Sequence, residues 1–313
     1  MKRMAASLLV FLLCVSAKAD QKHSRPRILG IAFVRIQVSD VNKAQDFYSL
    51  ALHAVPRPTA SRAPCDWCEV TILPAPAKHN GPIELEKAGN PAPPSLVAEI
   101  ALLTDDAGKL RNYLKANHIA ANKLGKCGLD ACFSLLDPEQ HRITFVQRTP
   151  MKENVTDTPF GVAHVDLRWF PIIHAGFVVR DRAAEDKFYK DLLGFHVYWH
   201  GGRTDDETSW VDMQVPDGTD WIEYMLNVSP EASHKTLGVM NHIALGVPDI
   251  HAAQEQLIKN GWKGTEEPKI GRDGKWQLNL YDPDETRVEL MEFKPTKEPC
   301  CSPYTGPHPG PSQ

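Results

Sequence analysis

Four residues in the C-terminal part of the chain combine donor chemistry with a repeating pattern: His174, Glu223, His242 and Glu289. Each lies in a short run that is otherwise apolar. His174 alternates with Ile172 and Val178, Glu223 stands between Trp221 and Met225, His242 shares a face with Ala244, and Glu289 precedes Met291 and Phe293 on its own face. A carboxylate turned into an apolar sheet face costs several kcal/mol unless it is paired or bound to a cation, so two of them call for a partner. Two neutral imidazoles with two carboxylates form the donor set of a borderline divalent metal: zinc, nickel, iron, manganese or cobalt. His174 to Glu223 spans 49 residues and His242 to Glu289 spans 47, so equivalent strand positions serve twice. The blander readings are an ion pair with Arg287, on the same strand face as Glu289, and histidines hydrogen-bonded within the core.

The elements that must position these residues come from an internal repeat. Asp46-Phe47-Tyr48 recurs as Lys187-Phe188-Tyr189, Glu99-Ile100-Ala101-Leu102 as His242-Ile243-Ala244-Leu245, and Asp137-Pro138-Glu139 as Asp282-Pro283-Asp284. The offsets drift slowly, through 141, 143 and 145 residues. One duplicated unit therefore gives an N-terminal half over residues 28–148, a linker over 149–170, a C-terminal half over 171–294 and a Pro-rich tail over 295–313. Each half is double again. Four strands end in an Asp seven residues after a fixed position: Phe33 to Asp40, Glu99 to Asp106, His174 to Asp181 and His242 to Asp249. Each Asp is suited to cap an amphipathic helix, with Gly194 and Gly261 closing two of them. Alternating runs such as Trp210 to Val215 and Trp221 to Leu226 then follow, so the unit reads strand, helix, three strands.

Four such units in two pairs resemble the vicinal oxygen chelate superfamily, which includes glyoxalase I, bleomycin-resistance proteins and extradiol dioxygenases. The most specific segments are His174 to Phe195, Asn241 to Trp262 and Tyr281 to Phe293. The resemblance implies an α+β fold: four βαβββ units forming two tandem glyoxalase-like modules, each a cupped sheet with metal ligands on the first and last strands of its two units. His174, Glu223, His242 and Glu289 match the glyoxalase I ligand pattern. In that chemistry a metal chelates two neighbouring oxygens and a carboxylate ligand, here Glu223 or Glu289, moves the proton. The corresponding N-terminal set is Phe33, Glu84, Glu99 and Thr144, which cannot make the same site because Phe33 has no donor atom; this half is expected to be structural or to form a pocket wall. A non-haem iron dioxygenase is the alternative enzyme, although Trp210 to Val215 lacks the acid-base histidine of the extradiol members. A metal-free small-molecule binder, like the bleomycin-resistance members, is the non-catalytic alternative.

The remaining features bound the setting. With 35 Lys+Arg against 39 Asp+Glu the chain lacks the basic excess of a nucleic-acid binder, and a small-molecule substrate is the expected partner. Lys2 and Arg3, the apolar run Ala5 to Val15, and Ala17-Lys18-Ala19 read as an export signal cleaved before Asp20, leaving no membrane segment. Export to the periplasm or beyond makes disulfides the expectation for Cys65, Cys68, Cys127 and Cys132 over a zinc knot, whereas the adjacent Cys300 and Cys301 are expected to reach elsewhere or stay reduced. Six prolines in residues 295–313 predict an extended, poorly ordered tail.

Overall fold

The structure, a computed structural model, describes residues 24–52, 54–56, 67–72, 83–90, 95–150 and 171–311. The N-terminal module runs β1 (Ile28–Val38), α1 (Val41–Leu52), β2 (Ala54–Pro56), β3 (Trp67–Ile72) and β4 (Ile83–Lys87), then β5 (Val97–Thr104), α2 (Ala107–Ala116), β6 (Gly125–Cys127), β7 (Asp130–Leu136) and β8 (Arg142–Gln147). The C-terminal module begins with β9 (Ile172–Val178), α3 (Arg182–Glu185, continued by a π-helix over Asp186–Leu192), β10 (His196–Gly201), β11 (Trp210–Gln214) and β12 (Trp221–Met225). It ends with α4 (His234–Met240), β13 (His242–Val247), α5 (Ile250–Lys259), β14 (Lys269–Ile270), β15 (Trp276–Tyr281) and β16 (Arg287–Glu292). The sheets share one topology, β2-β3-β4-β1-β5-β8-β7-β6 and β10-β11-β12-β9-β13-β16-β15-β14. These are two tandem modules, each of two βαβββ units.

The strand-to-helix junctions follow from the four aspartates. Asp106, Asp181 and Asp249 accept the backbone N–H groups of Lys109, Ala184 and Ala252, and Asp40 accepts those of Asn42 and Lys43. Gly194 and Gly261 take the left-handed conformation that ends their helices, at φ 80° and 97°. The helix after Asp181 widens over Asp186–Leu192, where the neighbours Phe188 and Tyr189 are both buried. One face of each sheet packs its apolar side chains against the helices, in a core that runs through both modules. The other face of the C-terminal sheet carries a separate cluster of Ile173, Tyr198, Trp199, Trp221, Ala244, Met291 and Phe293.

Two expectations are corrected. The tail, over its described part up to Pro311, does not hang free: it packs along β10. Thr305 N–H bonds to Tyr198 O at 3.0 Å, Trp199 Nε1 donates to Cys300 O at 3.1 Å, and Tyr304 lies against Tyr198 with ring centroids 4.6 Å apart. Its aromatic and backbone groups outweigh the prolines, which only rule out helix and strand. Cys300 and Cys301 are joined to each other, with Cys301 at φ 70° in the turn between them. Cys127 and Cys132 are bonded as expected, across the β6–β7 hairpin. The side chain of Cys68, Cys65, residues 1–23 with the expected export signal, and residues 151–170 lie outside the described residues. Among the described residues no helix is long and apolar enough to cross a membrane.

Candidate metal centre

The C-terminal sheet brings all four sequence-predicted donors to one point. β9 and β12 run parallel with Gly176 opposite Glu223, and β13 runs antiparallel to β9 with His242 opposite Gly176. β16 continues the sheet with Glu289 opposite Ala244. His174 Nε2 lies 3.1 Å from His242 Nε2, and Glu223 Oε2 lies 3.0 Å from His242 Nε2 and 3.6 Å from His174 Nε2. Glu289 Oε2 completes the group at 3.9 Å from His174 Nε2 and 3.8 Å from His242 Nε2.

The hydrogen bonds orient these groups inward. His242 Nδ1 is 3.0 Å from Met240 O and donates to it, which leaves the Nε2 lone pair facing the cluster. That lone pair accepts Arg287 Nη2 at 2.7 Å, and Arg287 Nη1 is 3.7 Å from Glu289. Arg287 thus does pair with Glu289, as the ion-pair alternative expected, but it engages the whole cluster from one side. His174 stacks on Trp221 with centroids 4.7 Å apart. Its Nδ1 and Glu289 Oε1 have no hydrogen-bond partner. Burial pushes the carboxyls of Glu223 and Glu289 up to about 7 and holds both imidazoles well below their usual range. Neutral imidazoles and carboxylates whose ionisation is opposed, gathered in one spot, fit a borderline divalent cation, whose charge would stabilise the ionised carboxylates.

Sequence reasoning missed the charges behind this cluster. Asp212, opposite Glu223 on β11, is buried, and burial together with Glu223 raises its pKa well above the carboxylate range. Lys275 is fully buried with no hydrogen-bond partner for Nζ, which sits 4.5 Å from the Trp221 ring centroid, 5.2 Å from that of Tyr304 and 5.3 Å from that of Tyr198. Asp212 is recognisable as a polar residue within an apolar strand. Lys275 directly follows the polar Gly271-Arg272-Asp273-Gly274 turn, and no sequence signal marks it as buried.

In the N-terminal module the equivalent place holds a protein cation. Arg35 donates to Glu84 at 2.7 Å and to Glu99, and Thr144 Oγ1 donates to Glu99 in turn. The expected loss of the metal donor set is present, and the two acidic positions that remain are held by a guanidinium instead. Asp282 closes a tight turn through Asp284 and Thr286, while His234 and His251 are exposed and His196 and His200 half-buried.

Residues 172–290 match the family described as Glyoxalase/Bleomycin resistance protein/Dioxygenase superfamily. A lactoylglutathione lyase of Haemophilus influenzae is 28% identical over 130 residues, 40% of this chain and 95% of that protein. Homoprotocatechuate 2,3-dioxygenase from Arthrobacter globiformis superposes with a TM-score of 0.61 at 19% identity, over 86% of this chain and 80% of that one. An extradiol ring-cleaving dioxygenase from Brevibacterium fuscum gives a TM-score of 0.62 at 18% identity, over 86% and 73%. At these identities the two dioxygenases share the fold of the tandem modules.

Proposed function

We propose that this chain, whose residues 172–290 fall in the glyoxalase/bleomycin resistance protein/dioxygenase superfamily, is an exported metal-dependent lyase or isomerase acting on a small substrate with two neighbouring oxygens. The observation that carries the reading is the convergence of four donors, His174, Glu223, His242 and Glu289, from the first and last strands of both units. These four side chains would hold the divalent ion. Bound there, it would act as a Lewis acid toward two substrate oxygens and favour loss of a proton from the adjoining carbon.

The side chains divide the rest of the work. Glu223 is the most open of the four, its side chain 12% exposed against 3% or less for the others, so its Oε2 is the atom to take and return the substrate proton. Glu289, held beside Arg287, is the fixed carboxylate. Trp221, Met291 and Phe293 keep water from the concave face, which protects a carbanion-like species from uncontrolled protonation. The fourth donor also separates this reading from the iron dioxygenases, whose two-histidine, one-carboxylate set leaves more positions open. The Cys127–Cys132 disulfide supports export. The experiment is elemental analysis of the purified protein followed by assays with hemithioacetals of 2-oxoaldehydes and, in parallel, oxygen uptake with catechols and 2-oxo acids. Metal-dependent isomerisation without oxygen consumption is expected; oxygen consumption would favour the dioxygenase, and failure to take up zinc, nickel or iron would favour a binder.

A further inference from the structure

A second cluster lies where the modules meet. The β7–β8 turn of the N-terminal module, Asp137 to His141, faces Glu185 at the end of α3, and a carboxylate oxygen of each acid and a ring nitrogen of His141 all lie within 4.8 Å of one another. Asp137 is 2% exposed and Glu185 fully buried, while the His141 side chain keeps 22% of its surface in solvent. Glu185 Oε1 accepts the Glu139 N–H at 3.0 Å, yet Glu185 Oε2 has no partner. The fully buried Tyr224 hydroxyl, close enough to feel Asp137, Glu185 and Asp186, has none either. Among the described residues no Lys or Arg forms an ion pair with Asp137 or Glu185; the nearby Arg182 pairs with Asp186.

The duplication supplies an internal control. The pseudo-equivalent contact joins the β15–β16 turn to α1, where Tyr48 donates to Asp282 at 3.3 Å just as Tyr189 donates to Asp137 at 3.0 Å. Both turns are closed alike, Asp137 N–H to His141 O and Asp282 N–H to Thr286 O, each at 3.0 Å. By the repeat offsets, Glu185 corresponds to Ala44 and His141 to Thr286. The fold therefore needs the aspartate and the tyrosine. It does not need the buried glutamate or the histidine, which occur at one contact only and leave it with excess negative charge.

We propose that Asp137, His141 and Glu185 form a second divalent-cation site, of borderline N/O type, that joins the two modules. His141 Nδ1, 2.9 Å from Asp137 Oδ2, would present its lone pair to the ion once the ring changes tautomer, Nδ1 giving up its proton and Nε2 taking one from solvent at the exposed edge. Glu185 Oε2 gains the partner it lacks. Burial and the charge of Asp137 push the Glu185 carboxyl up to about 8, in keeping with a group that ionises readily only beside a cation.

The test uses the full chain and zinc as the probe. Zinc retained after dialysis is counted by elemental analysis in wild type, in the double variant His141→Thr with Glu185→Ala, which copies the other contact, and in the isosteric Glu185→Gln. Both altered proteins should bind one equivalent less than wild type and lose part of the zinc-induced rise in Tm. Folding is checked by circular dichroism. His242→Ala should leave this equivalent in place. Because the difference between wild type and the double variant is read independently of the cup, failure of the cup reading would not alter it. A folded double variant that retains the wild-type zinc count would overturn the proposal.

Discussion

Gly176 stands in the C-terminal sheet where Arg35 stands in the N-terminal one. Arg35 is opposite Glu84 on β4 and Glu99 on β5; Gly176 is opposite Glu223 on β12 and His242 on β13. The small residue leaves room that the His242 ring fills, since a Cβ at Gly176 would lie 2.1 Å from its Cε1 and 2.4 Å from its Nδ1. Gly176→Ala should therefore displace the imidazole without altering any donor atom. Zinc affinity, measured against a competing chelator, is expected to fall about 10- to 100-fold.

Arg35 should be structural in the opposite sense. Arg35→Met would remove the guanidinium that sits between Glu84 and Glu99 and bring two acidic groups face to face. Denaturant unfolding should show a loss of about 2–3 kcal/mol, less than for a wholly buried pair because a quarter of the arginine side chain is in solvent. Zinc bound by the C-terminal module should be unchanged.

His242→Ala should abolish metal binding in the cup, because it removes one of four donors and the acceptor that faces Arg287. Glu99→Ala, its counterpart on β5, should leave that metal in place. Retained stoichiometric zinc in the cup of the His242 variant, read by elemental analysis in the background lacking His141 and Glu185, would sink the ligand assignment.

Asp220 makes stability depend on pH. Its Oδ2 accepts the Ile31 N–H at 2.8 Å across the two modules, and burial pushes the carboxyl up to about 7. The folded state thus binds its proton more tightly than the unfolded chain does. This contribution is complete below about pH 4 and is lost as pH rises through about 7. Asp220→Asn keeps the acceptor and cannot ionise, so it should make the fall in stability between pH 5 and pH 8 shallower by this group's share, roughly 2–4 kcal/mol, while the share of Glu185, Glu223 and Glu289 remains. Urea unfolding at several pH values is the measurement.

Truncation after Lys294 should uncover aromatic surface. The tail supplies Tyr304 against Tyr198 and Lys275, the bond from Tyr304 to Asp273 O at 2.8 Å, and the contact of His308 with Tyr198. A lower Tm and increased binding of a hydrophobic dye are expected from the truncated protein; an unchanged Tm would mean that the tail contributes nothing to the module.

The duplicated strand-helix-strand order, the capping aspartates and the four donor residues that converge in the C-terminal sheet were all legible in the sequence, because each depends on local periodicity or on a side chain's own chemistry. His174, Glu223, His242 and Glu289 announce themselves as polar residues on apolar strand faces, at spacings that repeat. What they approach was not legible. The guanidinium of Arg287 beside His242, the Arg35 bridge in place of a metal, the caged Lys275 and the docking of a Pro-rich tail depend on which strands lie side by side in the order β10-β11-β12-β9-β13-β16-β15-β14. The same holds for Asp137, His141 and Glu185, which belong to different modules. Their sequence neighbourhoods are ordinary turns and a helix. Electrostatic and packing energies fall off with distance in space, and only the folded chain brings residues far apart in sequence to within a few ångströms.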